Sequence, residues 1–74
     1  MTLIDAKLNT ELLVKDILAD EKTKLRLMEL GLTSNSKIFV KHRSLMKKTL
    51  LIIFNYSCFT INAEIAKNIV VNYA

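Results

Sequence analysis

The stretch Asp20-Glu-Lys-Thr-Lys-Leu-Arg-Leu-Met-Glu-Leu-Gly31-Leu32 decides how the rest of the chain is read. Asp20 offers a side-chain oxygen to the free N–H groups at a helix start, and Glu21 adds negative charge in the first turn, where the helix dipole favours it. Leu25, Met28 and Leu32 recur at three- and four-residue spacing, with Leu27 and Leu30 widening the apolar face. That spacing predicts a helix of about three turns. Gly31, the sole glycine of the chain, sits just past the periodic part, where a left-handed residue is wanted, and Leu32 follows as the residue that packs back on the last turn.

Upstream of this helix, residues 11–17 read as a strand, with Leu12, Val14 and Ile17 on one face only if a bulge intervenes. Downstream, Thr33-Ser-Asn-Ser36 is a turn in which Asn35 best tolerates positive φ. Residues 37–43 then alternate, with Ile38, Val40 and His42 on one face and Lys37, Phe39, Lys41 and Arg43 on the other. This is the pattern of a half-buried strand with a basic outer face. Ser44-Leu-Met-Lys-Lys48 interrupts it, and Thr49 to Tyr56 resumes as a β-branched and aromatic run, as expected of a central strand covered on both sides. Cys58-Phe-Thr-Ile61 is a short strand with Phe59 and Ile61 on one face, Asn62 caps a single helical turn over residues 63–67, and Ile69-Val-Val71 is a closing strand. The expected order is strand, helix, three strands, short helix, strand, giving a mainly β domain with short helices. Several short strands on so few residues cannot leave many open edges, so they are expected to curl into a small barrel with the first helix packed across one end.

Composition agrees with a single folded unit. The 74 residues contain no linker-like stretch, repeat or low-complexity tract, so residues 1–74 read as one domain. With 51% hydrophobic residues and interspersed charges, the chain is not a disordered tail, a collagen or a disulfide-stapled module. A domain this small buries only about 60% of the surface its unfolded chain exposes, which leaves little room for an enclosed active site. No enzyme activity is expected. Cys58 is the only cysteine, residues 1–20 lack the features of a secretory signal, and the longest apolar run, Leu50 to Phe54, is far shorter than a membrane helix requires. A cytoplasmic location is the expectation.

Charge is uneven. Residues 1–30 carry five bases and six acids, whereas residues 31–63 carry five bases (Lys37, Lys41, Arg43, Lys47, Lys48) and no acid. Such a stripe suits phosphates, an anionic membrane surface or an acidic protein face. A nucleic-acid-binding sheet would interleave several aromatic rings with these bases, and here there is one, Phe39, so a protein partner is favoured and no nucleic acid is expected. Leu45 and Met46 at a turn rimmed by Arg43, Lys47 and Lys48 read as part of the same contact surface. Metal chemistry is less well served. Cys58 and His42 are the only soft or borderline ligands, and no Cys-x-x-Cys or His-x-x-x-His pair exists. Cys58 reads as a small buried hydrophobe and His42 as a strand-edge residue. One glycine cannot build a phosphate-cradling loop. No catalytic residue, metal ligand or cofactor is assigned.

Lys24-Leu-Arg-Leu-Met-Glu-Leu-Gly-Leu-Thr33 resembles the basic-Leu-x-x-Leu/Met-Gly-Leu segment of the FeoA family, ferrous iron transport protein A. It runs through a turn into Ile38-Phe39-Val40, and Ala66-Lys-Asn-Ile-Val-Val71 is similar to that family's closing Ala-x-x-Ile-x-Val. The resemblance covers nearly the whole chain. It implies a small SH3-like barrel, with one helix across the barrel between the first two strands and a short second helix before the last. It also implies a bacterial cytoplasmic accessory or regulator of ferrous iron uptake, docking on the cytoplasmic GTPase region of the ferrous iron permease and meeting the membrane only through it. No catalytic residue carries over. The structural motif it marks is Leu25, Met28, Gly31, Leu32 and Asn35, and the expected partner-binding residues are Phe39, Lys41, Arg43, Leu45, Met46, Lys47 and Lys48. Two departures stand out. Ser34-Asn35 replaces the usual Pro-Gly, which the tolerance of Asn for left-handed backbone accommodates. Arg43-Ser-Leu-Met-Lys-Lys48 replaces an Ala-Pro-Leu-Gly-Asp-Pro-like loop and keeps only Leu45. The resemblance of the same fold to the C-terminal domain of metal-dependent repressors leaves a transition-metal-responsive regulatory module as an alternative, beside a small basic nucleic-acid-binding domain.

Overall fold

The computed structural model describes residues 1–44, 46 and 48–74. A 3₁₀ turn at Leu3–Asp5 precedes β1 (Leu12–Ile17), α1 (Glu21–Glu29), β2 (Lys37–Arg43), β3 (Thr49–Phe54), β4 (Ser57–Asn62), α2 (Ala63–Ala66) and β5 (Ile69–Tyr73). The sequence of strand, helix, three strands, short helix and strand is as the pattern of residues predicts. The five strands form one antiparallel sheet in the order β4-β3-β2-β1-β5. No described helix is long and apolar enough to cross a membrane.

Two bulges set which side chains face the core. In β1 the register with β5 shifts between Val14 and Asp16, leaving Lys15 as the extra residue. The Ile17 N–H donates to Asp16 Oδ1 at 2.8 Å, and Ile17 returns to the buried face beside Leu12 and Val14. The bulge expected from the sequence is present. The second lies in β2, where the pairs Val40↔Ile52 and His42↔Leu51 leave Lys41 unpaired. Strict alternation places His42 inward and Arg43 outward, and the bulge reverses both. His42 is exposed beside Lys41, while Arg43 lies opposite buried Leu50, is itself half-buried, and donates from its guanidinium to the Ala6 carbonyl.

Asp20 caps α1 as expected, its Oδ1 accepting from the Thr23 N–H at 3.3 Å. At the other end the Leu32 N–H bonds the Leu27 carbonyl at 3.0 Å and the Gly31 N–H bonds the Met28 carbonyl at 2.9 Å, with Gly31 at φ +93°. This is a Schellman closure, in which the residue after the glycine packs on the residue three before the cap. That geometry selects the buried side of the helix. Leu27 and Leu32 are buried, whereas Leu25 (55%), Met28 (51%) and Leu30 (52%) remain exposed. The expected core stripe of Leu25 and Met28 is therefore corrected: pairing Leu27 with Leu32 turns Leu25 almost opposite the core and Met28 about a quarter-turn away. Asn35 takes φ +73°, and its turn docks on β1 through the bonds Asn35 N–H to Val14 carbonyl (2.7 Å) and Val14 N–H to Ser36 carbonyl (2.9 Å).

The core gathers Leu3, Leu12, Val14, Leu27, Leu32, Ile38, Val40, Leu50, Ile52, Ile61, Ile69 and Val71 with Ala6, Ile17 and Ala66, and no described polar residue is buried in it. β3 is covered on one face only. Leu50 and Ile52 are buried, while Leu51 and Ile53 on the outer face are half-buried, because no second layer of described residues stands over that side of the sheet. Cys58 lies opposite Ile53 and shares this outer face, so it is exposed rather than a core hydrophobe. α2 is capped by Asn62, whose Oδ1 accepts from the Ile65 N–H at 2.9 Å.

Candidate functional site

The basic stripe of the sequence folds into the β2–β3 hairpin. Ser44 closes it: its N–H donates to the Thr49 carbonyl at 3.0 Å, and its hydroxyl accepts from the N–H groups of Lys48 (3.0 Å) and Thr49 (3.1 Å). The bulge at Lys41 widens the basic surface by turning Lys41 and His42 out together. Lys48 is exposed, and Met46 projects with 73% of its surface open. Leu45 and Lys47, which the sequence places in the same surface, lie outside the described residues. Arg43 stands behind the hairpin rather than on it, tied to the Ala6 carbonyl.

Phe39 belongs to a different feature. It lines an open cleft of about 610 Å³ with Asn35, Lys37, Ile53, Phe54, Asn55 and Tyr56. The Asn55-Tyr56 turn takes left-handed backbone at both positions (φ +55° and +65°) and leaves Tyr56 fully exposed at the rim. Lys37, which also lines the cleft, pairs at 3.6 Å with Glu11, the residue before β1. The sequence reading missed Tyr56; the available signal was a two-residue Asn-containing loop between apolar strands, which specifies a tight hairpin. Leu25 and Met28 of the expected motif are exposed on α1, and Met28 lines a smaller recess of about 200 Å³ with Ile17, Lys24 and Thr33.

Among the described residues no group of three His, Cys, Asp or Glu side chains comes together to hold a metal ion. His42 stands opposite Leu51 and Cys58 opposite Ile53 on strands separated by β3. Hydrogen bonding from the Thr23 side chain and then from the Thr23 backbone N–H holds the Asp20 carboxyl below its usual range, which identifies a helix cap rather than a reactive acid. Charge and exposed apolar side chains on neighbouring elements suit recognition of another macromolecule.

Sheet order, the helix between the first two strands and the short helix before the last define the class: a mainly β, SH3-like domain. Residues 1–73 match the FeoA domain model, and the chain belongs to the FeoA family, which is associated with ferrous iron transport. It is similar to the FeoA protein of Chlorobium tepidum, at 25% identity and a TM-score of 0.91, over 99% of this chain and 70% of that one. It is also similar to FeoA of Stenotrophomonas maltophilia, a prokaryotic SH3 domain protein solved with zinc, at 26% identity and a TM-score of 0.77, over 97% of this chain and 89% of that one. The metal-dependent transcriptional regulator MtsR shares the fold at 19% identity and a TM-score of 0.85, over 99% of this chain and 36% of the regulator. No curated protein matches the chain in sequence.

Proposed function

We propose that this chain is a cytoplasmic accessory of ferrous iron uptake that docks, through the β2–β3 hairpin, on an acidic face of the permease's cytoplasmic GTPase region. The observation that supports this reading is the separation of charge: residues 31–63 contain no acid, and the hairpin they form turns Lys41, His42, Met46 and Lys48 outward together. Bases surrounding an exposed methionine provide long-range attraction and a desolvated apolar centre, the combination that steers and then holds a protein partner. Leu45 and Lys47 extend the same surface in this reading, Arg43 braces it from behind, and Phe39 contributes through the adjoining cleft.

Calorimetry of the full chain with the GTPase region of the same cell's ferrous permease, at low and high salt, tests the proposal. Saturable binding that weakens with salt is expected, and Lys41→Glu together with Lys48→Glu should weaken it by about tenfold or more. Binding at low salt that ignores this double charge reversal would remove the hairpin from the interface.

A further inference from the structure

The two ends of the sheet are finished differently. The outer edge of β5 is covered by the start of the chain, where the Val71 N–H donates to the Met1 carbonyl at 2.8 Å and Thr2 bridges Val70. No described segment pairs with the outer edge of β4. β4 matches β3 residue for residue from Phe54↔Ser57 to Thr49↔Asn62, without a bulge. The two-residue turn at Asn55 and Tyr56, left-handed at both positions, makes Phe54↔Ser57 a hydrogen-bonded pair. Ser57, Phe59 and Ile61 therefore bond to β3, and the N–H and C=O groups of Cys58 and Thr60 point away from the sheet. Bonds further along β3 agree with this parity: the Lys48 carbonyl accepts from the Ala63 N–H at 2.8 Å on the β4 side, and the Thr49 carbonyl accepts from the Ser44 N–H at 3.0 Å on the β2 side.

Open edges in monomeric proteins are ordinarily guarded by lysine, proline, a bulge or an inward charge. Ser57-Cys-Phe-Thr-Ile-Asn62 has none of these. A shallow groove of about 280 Å³ runs between this strand and α1, floored by Leu27, Leu30, Phe59, Ile61 and Ile65, with exposed Arg26 at its rim. The occupant follows from the strand itself. The chain carries a net +4, so copies of it repel over much of their surface, but β4 itself is uncharged and matches its own antiparallel image.

We infer that the free edge of β4 is a self-association surface, through which two copies of this chain pair antiparallel about a two-fold axis. Cys58 of each copy exchanges main-chain hydrogen bonds with Thr60 of the other, which satisfies the outward-pointing groups of both. Phe59 then meets Phe59 of the second copy at the non-hydrogen-bonded site on the axis, where cross-strand side chains come closest, and the aromatic pair lies beside the exposed Leu30.

Sedimentation equilibrium of the full chain under reducing conditions, from micromolar to millimolar concentration, tests the inference. The expected result is a mass rising toward twice 8.5 kDa, with dimerisation strengthened by salt because screening removes like-charge repulsion; docking through the basic hairpin has the opposite salt dependence. Thr60→Pro removes an N–H that the β3 ladder does not use, and Cys58→Lys places a guard charge at an exposed position. Each should raise the dimer Kd by about tenfold or more, whereas Thr60→Val leaves it unchanged. A spin label on Cys58, the only cysteine, should show dipolar broadening in the dimer, since this register brings the two labelled sites within about 10 Å at the backbone. A chain that remains monomeric at millimolar concentration, or a dimer indifferent to both edge variants, would overturn the inference.

Discussion

Gly31 is the residue at which backbone and packing make the same demand. Its φ of +93° disfavours any side chain, and a Cβ placed there would lie 3.4 Å from Phe54 Cε2. Gly31→Ala should therefore lower stability by about 1–2 kcal/mol in urea unfolding, and an unchanged midpoint would show that the Schellman closure tolerates another conformation. The Asp20 cap makes a different kind of prediction. Hydrogen bonds from the Thr23 side chain and backbone lower its folded pKa, so its stabilising contribution is present above the unfolded value, about pH 4, and fades as pH falls through the lowered folded value. Asp20→Asn keeps a capping oxygen without the charge. The melting temperatures of parent and variant should differ at about pH 6 and converge toward about pH 2; a gap that persists into acid would mean the charge plays no part. Both positions were legible in the sequence, because a cap and a lone glycine after a periodic run act through local backbone geometry alone.

At the scale of elements, periodicity identified α1 but not its buried side. Five apolar residues, Leu25, Leu27, Met28, Leu30 and Leu32, spread around much of the helix, and the choice among them was made by the C-terminal closure that pairs Leu27 with Leu32. Leu27→Ala should cost about 2–4 kcal/mol, whereas Leu25→Ala should stay within about 0.5 kcal/mol. Equal costs in denaturant unfolding would mean that both residues are packed. The two bulges show the same limit in strands. In β1, Leu12, Val14 and Ile17 break the period-two rule visibly, so the bulge could be read from residue order. In β2 the residues beyond Lys41 are His42 and Arg43, both polar, and a change of face between two polar residues leaves no trace in the pattern. The sequence pattern runs β3 on to Tyr56, whereas the strand ends at Phe54 and Tyr56 takes φ +65° at full exposure in the β3–β4 turn. Tyr56→Gly should stabilise the hairpin by about 1 kcal/mol through relief of that backbone conformation, as read by thermal unfolding.

The sheet as a whole depends on contacts that no local pattern contains, such as Leu12 of β1 against Tyr73 of β5. The barrel was expected only in outline, from the number of short strands and from family resemblance. The basic hairpin was legible because charge survives as composition, while the cleft was not, since Phe39 and the Ile53–Tyr56 stretch are brought together only by strand pairing. Nor did the sequence reveal how the first nine residues serve the fold. Leu3 is fully buried, the Asn9 N–H bonds the Val40 carbonyl at 2.9 Å, the Lys7 N–H bonds the Tyr73 hydroxyl at 3.3 Å, and the Met1 carbonyl accepts from Val71. This segment spans from β5 to β2, and the guanidinium of Arg43 on the Ala6 carbonyl ties its middle to the sheet. Arg43→Ala should loosen that tie at a cost of about 1–3 kcal/mol, the usual range for a hydrogen bond from a charged donor. If the segment opens locally, amide exchange should accelerate most at Val71 and Asn9, whose partners it supplies or contains, and least at Ile52 in the middle of β3. Lys41→Glu, two residues away but outside the tie, should leave all three rates as they are. Exchange at Val71 and Asn9 that is no faster in Arg43→Ala than in the parent would show that Arg43 does not hold the segment, and would return its charge to the exposed face of the hairpin.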